Sequence, residues 1–147
     1  MTDNIGREEL IIIDRQVTGG GIKGIIDLLA LKISKDGRYS FLIIEVKLGN
    51  NKELNGPIVD QLDRYTEAIR DNIQSFIKCY ETNYSQKIKL GLLPTDWKDT
   101  IEITEKVEGE IVVGHYSKIG TKAIETLKSN HTDLPYKIEQ FKNIISV

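Results

Sequence analysis

The chain has 147 residues, 39% hydrophobic and 29% charged, which is the size and balance of one globular domain, with enough chain for a core but not for two. A formal net charge of −2 gives no overall basic attraction to nucleic acid or a membrane surface, so a nucleic-acid partner must be held by a local patch or through metal ions. No apolar run approaches the ~20 residues of a membrane span, no signal-peptide core opens the chain, and one cysteine excludes an intramolecular disulfide, so a cytoplasmic protein is expected.

The first eight residues are polar. "ELIIIDRQV", residues 9–17, reads as a short strand, and "TGGGIKG", 18–24, as a flexible connection. Residues 25–34 and 38–47 form two strands rich in β-branched and aromatic side chains. "GNNKELNG" is a loop, and Pro57 suits the first position of a helix that runs to about Tyr80. Ile58, Leu62, Tyr65, Ile69, Ile73, Phe76 and Tyr80 give that helix one apolar stripe. Cys79, within it, reads as a small buried hydrophobe. "KIKLGLLP" and "GEIVVGHYS" look like strands, and the alternating "TIEITEKV" is a strand or an extended loop. Trp97 is expected to pack an edge. Two helical signals follow, at 121–129 and, after Pro135, at 136–145. With no repeat, low-complexity tract or linker, the expectation is one mixed α/β domain over residues 1–147 that opens with a β-meander.

The chemistry lies in "GIIDLLALKISKDGRYSFLIIEVK", residues 24–47. "KDG" signals a three-residue hairpin loop, a type I turn closed by a left-handed glycine. That loop sets Ser34 opposite Arg38 and therefore Asp27 opposite Glu45, with Lys47 on the same face as Glu45. Directly opposed β-carbons are roughly 4.5–5.5 Å apart, a distance at which like charges destabilise a sheet. One reading is a solvated surface cluster neutralised by Lys47. The other follows from the neighbours: strands apolar on both faces are central strands, and two carboxylates side by side there call for a cation. An all-oxygen site suits Mg²⁺ or Mn²⁺, and Lys47 could orient a nucleophilic water or stabilise charge on a phosphate.

Other chemistries find little support. The glycines at 19–21 and 24 follow no phosphate-loop or dinucleotide pattern, His115 and His131 have no ligand-spaced neighbours, and neither Ser40 nor Cys79 sits in a nucleophile motif.

"GIIDLLAL" with Asp27, "IIEVK" with Glu45 and Lys47, and "QLDRY" with Gln61 and Tyr65 together resemble the PD-(D/E)XK nuclease superfamily, in its RecB-like branch with a QxxxY motif. The resemblance implies a restriction-endonuclease-like core, a mixed β-sheet flanked by helices, whose meander carries the D…ExK motif. It implies cleavage of phosphodiester bonds, in DNA, in repair, recombination or defence, with Mg²⁺ (or Mn²⁺) as cofactor. In that reading Asp27, Glu45 and the Val46 carbonyl bind the metal, and Lys47 positions or activates the attacking water. Gln61 and Tyr65, at i and i+4 of one helix, reach the site rim or the nucleic acid in that reading. By position alone Tyr65 also fits the core stripe as a structural tyrosine, and Gln61 fits a solvated helix position. Lys23, Lys52 and Arg64 are candidate phosphate contacts, as is Arg38, although charged side chains on loops are usually just solvated. The family usually places a helix before the first strand, which often adds an acidic residue; here that helix is expected to be short or absent, with Glu9 (or Glu8) as a stand-in acid. Completion through a second subunit makes a homodimer an expectation too. The alternative function is a catalytically inactive nuclease-like module that binds nucleic acid or a protein partner.

Overall fold

The computed structural model describes residues 10–114, 118–131 and 133–140. Five strands, β1 (Leu10–Gly19), β2 (Ile22–Ile33), β3 (Tyr39–Leu48), β4 (Ile103–Gly114) and β5 (Lys137–Gln140), form one sheet in that spatial order. The first three run as an antiparallel meander, whereas β3–β4 and β4–β5 are parallel. Parallel neighbours need crossovers. These are α1 (Pro57–Asp71) with α2 (Ile73–Lys89) before β4, and α3 (Lys118–Asn130) before β5. Among the described residues the fold is thus α/β with a mixed sheet and three α-helices.

The near-continuous apolar runs of β2 and β3 have the composition of strands buried on both faces. Leu29, Leu31, Phe41, Ile43, Ile111 and Val113 join the helical stripe in the main core. On the opposite face Ala30, Leu42, Ile44 and Val112 form a second, smaller cluster. Glu45, fully buried, takes its place in the first set by strand alternation.

The structure corrects several expectations. "TGGGIKG" is not a loose connection: Gly19 pairs with Ile22, and Gly20 and Gly21, with φ of 58° and 83°, make a two-residue hairpin turn that needs positive φ at both positions. The helix expected over 57–80 is two. Asn72, at φ −120° and ψ 26°, interrupts it, and its side-chain amide donates to the carbonyls of Gly20 and Ala68, competing with the helical ladder. "KIKLGLLP" is not a strand. The stripe carries on through Tyr80, Tyr84 and Ile88, so α2 continues to Lys89. It ends where Gly91 (φ 71°) donates to Ile88 O and Leu92 donates to Lys87 O, a Schellman cap.

"TIEITEKV" and "GEIVVGHYS" contribute to a single strand, β4, through Gly109. A Cβ there would stand 2.7 Å from the Tyr136 ring, so glycine lets that ring close over the strand. The helix expected at 136–145 begins instead as β5, and positions 141–145 lie outside the described residues. Cys79 is exposed, on the solvent side of α2, rather than buried. Trp97 packs partly buried against the core, as expected of an edge residue. Glu9, Glu8 and any helix preceding β1 lie outside the described residues. No helix among the described residues is long and apolar enough to cross a membrane.

Candidate active site at the end of the β2–β3 hairpin

The hairpin closes as its sequence requires. Ser34 N–H donates to Arg38 O (2.8 Å), Gly37 N–H to Ser34 O (3.0 Å), and Gly37 has φ 81°. The Asp36 carboxylate caps the turn, accepting from the Ser34 hydroxyl, the Arg38 N–H and the Arg38 guanidinium; these hydrogen bonds bring its pKa down to about 2. From Ile33↔Tyr39 to Leu28↔Ile44 the strands keep the predicted register.

Paired register stops at that last pair, and carboxylates take over. Asp27 N–H donates to Glu45 Oε1 (3.1 Å), and Val46 N–H donates to Asp27 Oδ2 (2.9 Å), so each acid is held by the backbone of the opposite strand. In an extended strand the carbonyl of a residue points to the same side as its N–H, which turns Val46 O toward the β2 flank as well. Glu45 is fully buried, Asp27 half-buried. Burial pushes the Glu45 carboxyl up to about 7; the Asp27 N–H works against that rise, the neighbouring Asp27 carboxylate adds to it, and Lys47 offsets part of it.

Lys47 completes the cluster. Its ammonium is 3.6 Å from Glu45 Oε2 and 2.6 Å from Glu53 Oε2, with the side chain only 13% exposed. Burial opposes its charge, but the hydrogen bond to Glu53 and the fields of Glu45, Glu53 and Asp27 outweigh that and raise its pKa above the usual lysine value. Sequence reasoning missed Glu53 by treating "GNNKELNG" as an unstructured loop. The signal was present: an asparagine two residues ahead and one leucine in a polar segment. Asn51 Oδ1 accepts the Glu53 N–H (2.9 Å), and fully buried Leu54 anchors a 3-10 turn over Lys52–Asn55.

α1 braces the strand that carries Asp27. Gln61 Nε2 donates to the Tyr65 hydroxyl (3.0 Å), which donates to Ile25 O (3.0 Å), two residues before Asp27. Tyr65 is 1% exposed, so the phenol faces the β2 backbone rather than an open rim. Gln61 Oε1 is buried without a hydrogen-bond partner. The brace needs Gly24, whose φ is 127° and where a Cβ would stand 2.5 Å from the Tyr65 hydroxyl oxygen. Gly24→Ala is expected to cost about 1–3 kcal/mol in denaturant unfolding, through backbone strain and that clash together. Adding Tyr65→Phe should recover only the clash. A Gly24→Ala chain as stable as wild type would contradict this packing.

Of the remaining sequence candidates, Lys23, Lys52 and Arg64 are all exposed, on β2, on the 3-10 turn and on α1. Arg38 lies at the far end of the hairpin, bound to Asp36, beside a cleft of about 730 Å³ lined by Tyr39, Tyr84, Trp97 and Ile101. It therefore does not belong with Asp27 and Glu45.

A divalent cation can be tested against these residues directly. Glu45 Oε2 is buried, accepts no hydrogen bond and has the Lys47 ammonium no nearer than 3.6 Å, so it is incompletely partnered and can take a further positive group. The donors at hand are oxygens only, which favours Mg²⁺ or Mn²⁺ over zinc. Among the described residues no three His, Cys, Asp or Glu side chains converge as a metal-holding group. The protein can offer two carboxylates and one carbonyl; Mg²⁺ typically takes few protein ligands and fills the rest with water and phosphate oxygens. The residues fit such an ion. No model of a known protein family, no curated protein and no solved structure matches the chain.

Proposed function

We propose that this chain is a divalent-cation-dependent nuclease of the PD-(D/E)XK type that hydrolyses phosphodiester bonds in DNA. The observation that carries the reading is the cross-strand pair, Asp27 on Val46 N–H and Glu45 on Asp27 N–H, with the Lys47 ammonium 3.6 Å from Glu45 Oε2, which accepts no hydrogen bond. An antiparallel meander followed by a helical crossover to a parallel strand supports a restriction-endonuclease-like core in the same reading.

Asp27, Glu45 and the Val46 carbonyl would hold the ion. When bound, that ion supplies positive charge to the scissile phosphate and acidifies water. Asp27 and Glu45 are pre-set by the opposite strand's N–H groups, so their oxygens need no reorganisation. Lys47 directs an N–H at a water or phosphate oxygen beside them and stabilises negative charge as it develops. Gln61 and Tyr65 fix β2 at Ile25 and so fix the height of Asp27.

One observation favours a binding module without catalysis. The Lys47 ammonium already has a carboxylate partner at 2.6 Å, and an amine so paired is less available to a substrate. Incubating the purified chain with single-stranded, duplex and branched DNA, and with RNA, in Mg²⁺ or Mn²⁺ separates the two. The nuclease reading expects cleavage that chelator stops. Binding that ignores chelator, with no substrate cut, would establish the other.

A further inference from the structure

We propose that Glu53 is a positioning residue that draws the Lys47 ammonium away from Glu45 and thereby keeps Glu45 Oε2 open to a divalent cation. The inference rests on the metal-dependent reading above and adds to it a residue outside the D…ExK motif.

Three observations support it. The Lys47 ammonium stands 1.0 Å closer to Glu53 Oε2 than to Glu45 Oε2 (2.6 against 3.6 Å). A lysine beside two carboxylates goes to whichever is better placed, and here the looser partner is the fully buried Glu45, whose Oε2 keeps the 3.6 Å ion pair. Glu53 is also built into position: its N–H is held by Asn51 Oδ1, its carbonyl accepts from Gly56 N–H (3.3 Å), and Leu54 fastens the turn to the core.

The physical consequence is specific. Without Glu53, Glu45 is the carboxylate that remains within 4 Å of the Lys47 ammonium among the described residues. An ion pair there would neutralise the carboxylate from within the protein, and an incoming cation would have to displace a lysine that has little access to water. With Glu53 in place, the lysine stays near the reaction centre yet leaves the oxygen free. Glu53 acts through Lys47, not by touching the cation.

Mn²⁺ binding to the full chain at pH 8, followed by titration calorimetry, tests this with four proteins: wild type, Glu53→Gln, Lys47→Met, and the double variant. Glu53→Gln should weaken Mn²⁺ about 10-fold, as expected when a residue that orients a ligand is lost. In the Lys47→Met background the same change should shift affinity less than about twofold, because no ammonium remains to compete. Thermal midpoints of all four report whether the fold persists. A loss of equal size in both backgrounds would overturn the inference, since Glu53 would then act as a ligand or as a distant charge. An unchanged affinity in Glu53→Gln would also overturn it, leaving the nuclease reading intact. Absence of Mn²⁺ binding in wild type would overturn both.

Discussion

Lys47→Met removes divalent-dependent cleavage, by on the order of 10²–10³-fold, while the chain keeps its fold and its affinity for Mn²⁺. Methionine retains the length and apolar stem of lysine, so the wall it forms beside Glu45 survives. What disappears is one positive charge and its N–H donors, on a side chain only 13% exposed, where a charge acts through a weak dielectric screen. In the proposed reaction that charge matters most when the phosphate gains negative charge, so the loss falls on the rate and not on substrate affinity. Cation binding should respond in the opposite sense. An ammonium 3.6 Å from Glu45 Oε2 repels an incoming Mn²⁺, and removing it leaves affinity equal or higher. Single-turnover cleavage of the best substrate, with Mn²⁺ titrations alongside, measures both quantities. Cleavage within twofold of wild type would eliminate Lys47 from the chemistry; lost cleavage together with lost Mn²⁺ binding would show a site that has collapsed.

The geometry behind that expectation could be read from the sequence because it depends on counting. Once "KDG" fixes a three-residue loop, every pair along the hairpin is determined, and the observed register from Ile33↔Tyr39 to Leu28↔Ile44 follows that count. Hydrophobic burial on both faces then decides that Glu45 sits inside. What stayed hidden depends on competition between local signals. The stripe from Ile58 to Ile88 keeps helical spacing across Asn72, so periodicity alone cannot find the break that the Asn72 side chain makes. "KIKLGLLP" has a strand's composition, yet Ile88 extends the stripe, and Gly91 serves as a helix cap rather than a strand interruption. Residues 137–140 become a strand because β4 offers an edge to pair with, a tertiary fact with no local trace. Glu53 differs, because Asn51 and Leu54 mark its turn locally while its partner is not marked. Its meeting with Lys47 comes from the 3-10 turn anchored by Leu54, and the spacing of the motif residues does not encode it.

The buried acid itself gives the other large effect, on stability rather than rate. Glu45→Gln should make the chain more stable at pH 8 by roughly 2 kcal/mol and at the same time end Mn²⁺ binding. The gain is less than the ~3 kcal/mol of the full shift because the buried amide keeps part of the desolvation cost. The sign follows from the two states. In the unfolded chain Glu45 loses its proton near 4.5, whereas burial holds it to about 7 in the folded protein. Between those values the native state binds more protons than the unfolded state, so stability falls as pH rises from 4.5 through 7 and levels off above. Glutamine carries no charge at any of these pH values, so the variant lacks that slope. Its Oε1 can still accept the Asp27 N–H, and its amide can donate toward the carboxylates that surround it. The two proteins should therefore have similar thermal midpoints near pH 4 and diverge by about 4–8 °C at pH 8, at the 2–4 °C per kcal/mol usual for this size. Mn²⁺ should raise the midpoint of wild type at pH 8, because a ligand that binds only the native state stabilises it, and leave Glu45→Gln unmoved. Parallel pH curves for the two chains would show that Glu45 is not a strained buried acid. If the curves diverge and Mn²⁺ closes the gap, then a residue that destabilises the sheet is also one the cation needs, since function can hold a destabilising group in a core that packing alone would replace.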